Sequence, residues 1–135
     1  MRPSNNTFAT TCPNVSIVVC TYNRAGLLEE ALQSLFRLES RNGGWNYEII
    51  VVDDGSTDAT PAVVQNAAES STVSVRYVEN RDEGVASARN TGIAASRGEW
   101  IAFFDDDQLA DPHWLDSLVR ASRKHDARFV KGPVR

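Results

Sequence analysis

Runs of β-branched and apolar residues alternate along this chain with segments whose apolar residues return every three or four positions. That alternation limits the folds open to it. Val15-Ser16-Ile17-Val18-Val19-Cys20-Thr21 and Tyr47-Glu48-Ile49-Ile50-Val51-Val52-Asp53 are nearly unbroken apolar runs. They suit strands covered on both faces, since a strand with one wet face alternates apolar and polar residues. Val73–Val78 predicts a shorter alternating strand and Trp100–Phe104 a fourth. After the first strand, Asn23 is placed to cap a helix carrying Leu28, Ala31, Leu32 and Leu35 on one face. Glu39–Asn46, with Gly43-Gly44, reads as a loop. Thr57–Glu69 reads as a helix opened by Pro61, and Gly84–Arg97 as a small-residue helix stopped by Gly98. Asp111-Pro112 supplies a cap and first residue for a last helix with Leu115, Leu118 and Val119 on one face. Arg128–Val130 then starts a fifth strand before Gly132-Pro133 breaks it. The expected architecture is α/β: an open, mostly parallel sheet between helical layers, with strand order near 3-2-1-4.

At 135 residues the chain is long enough for one domain with a real core, expected over 15–135 after a frayed polar extension, Met1–Asn14. The net charge of −4 speaks against general nucleic-acid binding, which needs a positive surplus. No apolar run approaches the roughly 18 residues that span a bilayer. Two cysteines, Cys12 and Cys20, make no disulfide framework, and a cytoplasmic setting is the expectation. The two Asn-x-Ser/Thr sequons, at Asn5 and Asn14, follow no signal peptide and read as chance.

The chemistry concentrates at the strand ends. Asp105-Asp106-Asp107 directly follows Trp100-Ile101-Ala102-Phe103-Phe104. Three adjacent carboxylates repel one another and resist burial, so they call for a cleft and a counter-ion. Oxygen ligands alone suit Mg²⁺ or Mn²⁺, and an ion held by one or two carboxylates keeps room for substrate phosphates. The first strand delivers Thr21-Tyr22-Asn23-Arg24 and the second Asp53-Asp54-Gly55-Ser56. In a Rossmann-like, doubly wound sheet these groups meet where the strand order reverses, outside the carboxyl ends of the strands. Neither a Walker A loop nor a GxGxxG turn is present, so phosphates would rest on a metal rather than a glycine cradle. Tyr22 offers a face for a base, Asp54 an acceptor for a ring N–H, and Arg89 a fixed cation. A nucleoside diphosphate with a divalent metal is the implied ligand. Asn23 and Arg24 read as structural, a cap and a solvated side chain. Ser56 and Thr57 also read as caps, and His113 and His125 as surface helix residues. Trp45 reads as a loop residue, packed or acceptor-facing, and Trp100 and Trp114 as core.

Four segments carry a resemblance: VSIVVCTYNR (15–24), EIIVVDDGSTD (48–58), GVASARNTGI (84–93) and WIAFFDDDQLADPHWL (100–115). In this order they resemble the donor-binding half of family 2 glycosyltransferases of GT-A fold, over roughly Val15–Val134. The resemblance implies a UDP-sugar donor, with Tyr22 against the base, Asp54 at the uracil ring with Asp53 beside it, and Thr21 in the same nucleotide-binding group. It makes Asp105 and Asp107 the metal pair, with Asp107 the direct ligand, places Asp106 near the ribose and phosphates, and sets Arg89 near the nucleotide. Mn²⁺ or Mg²⁺ is the implied cofactor. Sugar transfer to a glycan, lipid-linked or protein acceptor, with inversion, is the implied reaction, in cell-envelope polysaccharide synthesis.

Two departures matter. Gln108 stands where the family often has a further acid, and is a weaker oxygen ligand. Family members also continue into an acceptor-binding half that supplies the general base. That base is therefore expected beyond Arg135, and these residues are expected to bind donor rather than transfer sugar. Any membrane contact, at the inner face, would come from downstream sequence. Two rival readings share the acids: a non-catalytic nucleotide-binding or assembly module, and a Mg²⁺-binding receiver-like signalling domain, which would want Lys131 near the sheet edge.

Overall fold

The computed structural model describes residues 13–39, 45–80 and 85–125, with the backbone alone at 85 and 122–125. The eight elements run β1 (Val15–Thr21), α1 (Ala25–Leu35), β2 (Tyr47–Asp53), α2 (Thr60–Ser70), β3 (Ser74–Glu79), α3 (Val85–Ala95), β4 (Trp100–Asp105) and α4 (Trp114–His125). The four strands form one parallel sheet in the order β3-β2-β1-β4. Fold class and strand order match the sequence expectation. Residues 1–12 of the expected extension, the middle of the 39–46 loop, Gly84 and the Arg128–Val130 strand lie outside the described residues, while Asn14, expected to be frayed, is bonded to Asn46 and accepts the Trp100 N–H at 2.9 Å.

The unbroken apolar runs are explained by covering on both faces. Ile17, Val19, Ile49 and Val51 face a large core built with Leu28, Leu32 and Leu35 of α1, Val64 of α2, and Trp114, Leu115 and Leu118 of α4. Val18, Ile50 and Val52 point the other way, onto Ala88 of α3. Truncating a fully buried leucine such as Leu32 would cost about 2–5 kcal/mol. The small residues of α3 have a packing reason. A Cβ on Gly92 would lie 2.4 Å from Val18 Cγ1, so this helix rides close to the sheet.

Three helix starts differ from expectation, and α2 begins at Thr60 rather than Thr57. α4 begins at Trp114 rather than Pro112, because the Asp111 carbonyl first closes a tight turn with the Trp114 N–H at 2.9 Å. Asn23 does not cap α1. The residue before that helix is Arg24, with no side-chain cap of its own, and the Ala25 N–H donates instead to Asp58 Oδ2 at 3.1 Å. Trp45 is packed, its indole N–H on Asp116 Oδ1 at 3.0 Å, and Trp114 sits edge-on to Phe104 with ring centroids 5.0 Å apart. Trp114 is core as expected and Trp100 is half-buried against it. His113 lies half-buried in the turn before α4 rather than on a helix surface.

The sequence of connections fixes where a cleft opens. From β1 the chain steps through α1 and α2 to one side, and from β3 it crosses by α3 to the far side of β1. Helices leaving β1 and approaching β4 thus cover opposite faces. The gap lies between the carboxyl ends of β1 and β4.

Candidate functional site

The register brings the strand ends level. Thr21 pairs with Asp53 across β1 and β2, and Cys20 with Asp105 across β1 and β4. Each chain then turns away, leaving a cleft of about 420 Å³ lined by Thr21, Tyr22, Arg24, Asp54, Arg89, Phe103 and Asp105 to Asp107, among others.

Loops brace one another around this opening. Asn23 has φ +50°, a left-handed conformation that asparagine tolerates better than most residues. It turns the β1–α1 connection so that its N–H donates to Ser56 Oγ at 2.8 Å, while its Oδ1 accepts the Thr57 and Asp58 N–H groups. Gly55, at φ +96°, lets the β2 end fold back toward these contacts. Asp58 also accepts both the N–H and hydroxyl of Thr60 at the start of α2, and these bonds, the hydroxyl's above all, hold its carboxyl below the usual range. Asp58 thus serves two helices.

Behind that brace stands Asn80. Its side-chain amide donates to Asp54 Oδ1 at 2.8 Å, and its Oδ1 accepts the Ser87 and Thr91 hydroxyls of α3. The Asp54 N–H meanwhile donates to the Thr21 carbonyl at 3.0 Å. Asp54 is held in backbone and side chain while staying at the cleft wall.

The three acids after β4 differ in environment. Asp105 and Asp107 are exposed, and the Asp105 carbonyl accepts the Gln108 N–H in a turn. Asp106 is only 7% exposed; its Oδ2 accepts the Thr21 hydroxyl at 2.9 Å and its Oδ1 faces Arg24 Nη1 at 3.2 Å. Arg24 Nη1 also reaches Asp107 Oδ2 at 3.4 Å. Across the cleft, Arg89 lies over the Phe103 ring, 5.5 Å from guanidinium carbon to centroid. Tyr22, 56% exposed, stands at the lip. Cys20 lies at the floor. Burial raises its thiol pKa above 9.0, and the carboxylates of Asp106, Asp54 and Asp105 push the same way against the opposing Arg89.

Of the nucleotide and metal residues named from sequence, Thr21, Tyr22, Asp54, Arg89, Asp105, Asp106 and Asp107 line this one cleft. Asp53 does not. It is 1% exposed and both its oxygens are used, by the Ser56 N–H and by the Tyr77 hydroxyl. Its observed part is to shape the turn that presents Asp54. Gln108 is likewise absent from the lining. Arg24, read from sequence as solvated, is instead tied to the acids.

The profile of the family described as "Glycosyl transferase family 2" matches residues 16–135. The chain belongs to glycosyl transferase family 2. The succinoglycan biosynthesis protein ExoO of Rhizobium meliloti is 40% identical over 116 residues, which are 85% of this chain and 30% of that protein. The mannosyltransferase PcManGT from Pyrobaculum calidifontis, solved in complex with GDP-Man and Mn²⁺, superposes with a TM-score of 0.73 at 33% identity. That match covers 84% of this chain and 33% of the other. S. aureus TarS 1-349, solved with UDP-GlcNAc, superposes at 0.69 with 27% identity, covering 84% and 32%. The chain therefore has the GT-A type fold of the family 2 glycosyltransferases, and spans about a third of the length of these relatives. A receiver-like signalling domain is ruled out by this membership.

Proposed function

We propose that this chain is the donor-binding domain of a glycosyltransferase and that its cleft takes a nucleoside diphospho-sugar, a UDP-sugar in first place. One observation carries the reading: a stacking face, a ring N–H acceptor, a fixed cation and paired acids, delivered by separate strands and a helix, line a single opening. In this reading Tyr22 stacks on the base, Asp54 accepts from the imide N–H, Thr21 and Asp106 border the ribose, and Arg89 faces the phosphates. Both solved relatives contain a nucleoside diphospho-sugar, one with guanine and one with uracil, and each of those bases has a ring N–H for Asp54.

The donor set fits a hard divalent cation. Asp105 and Asp107 offer exposed carboxylate oxygens at the cleft, and among the described residues that line it Cys20 is the one sulfur ligand, a thiol whose pKa burial raises, with no imidazole. Among the described residues no three His, Cys, Asp or Glu side chains are arranged to enclose an ion. The chain would thus supply one or two ligands from Asp105 and Asp107, as Mn²⁺ or Mg²⁺ shared with a diphosphate requires. Such an ion would neutralise the diphosphate as the sugar leaves.

Transfer to an acceptor hydroxyl, with inversion, belongs in this proposal to the longer protein, whose base lies beyond Arg135. A glycan, lipid-linked or protein acceptor and a cytoplasmic setting are part of it. No helix among the described residues is long and apolar enough to cross a membrane. Calorimetric titration with UDP and Mn²⁺ tests the reading. Saturable heat, stronger for UDP than for CDP, is expected, because cytosine lacks the ring N–H. No heat above buffer at millimolar ligand contradicts it.

A further inference from the structure

We infer that Arg24 is a resident counter-cation of the cleft acids, which gives up its carboxylates when the donor's divalent ion arrives. This rests on the donor-binding reading above and adds a residue with a function of its own to it. Arg24 reaches across 82 and 83 positions of sequence to Asp106 and Asp107, the residues that follow the edge strand β4. It precedes α1 without a side-chain capping bond, and its side chain is half exposed.

The geometry is that of a replaceable partner. A single nitrogen, Nη1, is shared by two carboxylates at 3.2 and 3.4 Å, both longer than the 2.7–2.9 Å typical of a charge-assisted bond. Asp106 does not depend on it, because the Thr21 hydroxyl holds the other oxygen at 2.9 Å. Asp107, 46% exposed, has a looser hold on the same guanidinium. A half-exposed ion pair of this kind is weak, whereas three adjacent acids with no cation repel one another. Arg24 therefore relieves the repulsion among these acids without competing strongly against a doubly charged ion. The two cations repel, so an ion on Asp107 weakens the hold of Arg24 on the same carboxylate. Released, the guanidinium stays at the lip of the same cleft, within a side chain's swing of the diphosphate, and there it follows the ligand's negative charge.

Arg24→Gln separates these duties, since it removes the charge and keeps a polar side chain. Mn²⁺ binding in the absence of nucleotide, read by electron paramagnetic resonance of the free ion, is expected to tighten roughly two- to fivefold, the upper span of a weak ion pair. UDP binding at saturating Mn²⁺ is expected to weaken by a similar factor, so that ion and nucleotide help each other less than in the parent chain. Arg24→Lys should restore the parent values in part. Unchanged or weaker Mn²⁺ binding by a folded Arg24→Gln chain, checked by circular dichroism, overturns the inference while leaving the donor-binding reading intact. A parent chain that holds neither Mn²⁺ nor UDP overturns both.

Discussion

The two ends of the sheet use acids in opposite ways. At the amino end Glu48 is 3% exposed, and both of its oxygens are engaged inside the protein. Oε2 accepts the Ser16 hydroxyl at 2.6 Å and the Arg97 N–H at 2.9 Å, while Oε1 accepts Arg76 at 3.0 Å. Ser16 Oγ in turn accepts the Gly98 N–H at 2.8 Å, which ties the α3–β4 turn beneath the sheet. Burial alone would raise the Glu48 pKa, yet the Ser16 hydroxyl, the Arg97 N–H and Arg76 outweigh it and hold it below 4.5. At the carboxyl end Asp105 and Asp107 are exposed, and Asp107 Oδ2 faces a shared nitrogen, Arg24 Nη1, at 3.4 Å. A carboxylate whose hydrogen bonds are all internal fastens elements together. One held loosely at a cleft remains available to a ligand.

The sharpest way to break this contrast is at Glu48. Glu48→Ala takes this acceptor from Arg76, the Ser16 hydroxyl and the Arg97 N–H, and should cost about 3 kcal/mol of stability in denaturant unfolding. Nucleotide affinity of the folded fraction should not change. A loss under 1 kcal/mol would show that the amino end is no more fastened than the cleft.

Tyr22→Ala is the mirror experiment. Loss of the stacking face should weaken UDP binding by about tenfold, on the order of 1.4 kcal/mol, with the unfolding midpoint unmoved because the ring is exposed. A large drop in stability with unchanged affinity would make Tyr22 a packing residue.

The smallest effect is one of pH. Because the folded pKa of Glu48 lies below its ordinary 4.5, its contribution is fully present above that value and fades as the pH falls through the folded pKa. The difference in melting temperature between the parent and Glu48→Gln should therefore be largest near neutrality and shrink below pH 4.5. A difference that grows on acidification would mean that the sign of the shift is wrong.

Legibility from sequence followed the range of the interaction. Strands β1 and β2 were plain because burial on both faces writes an unbroken apolar run, and strand order followed from alternation and connection length. The acids at the strand ends were plain because nothing in packing explains three together. Partnerships set by tertiary approach were not legible. Asn23 looks like a cap, since Asn commonly caps helices, yet its side chain spans to the β2–α2 loop while Asp58 does the capping. Asp53 and Asp54 are neighbours of one type, and only the approach of Tyr77 and Asn80 separates a buried turn-former from a cleft residue. Arg24 and Asn80 carried no local signal. The acids that Arg24 meets lie 82 and 83 positions on, and Asn80 joins Asp54, 26 positions back, to Ser87 and Thr91 of the next helix.

The central claim is that the loosely held acids at the carboxyl end of β4 retain a divalent ion together with a nucleoside diphosphate. Calorimetry of Asp107→Ala with UDP, with and without Mn²⁺, tests it most directly. The expected result is a loss of at least about tenfold in the Mn²⁺-dependent part of the affinity, with the Mn²⁺-free part and the melting temperature preserved. Mn²⁺-dependent UDP binding equal to that of the parent chain would contradict it.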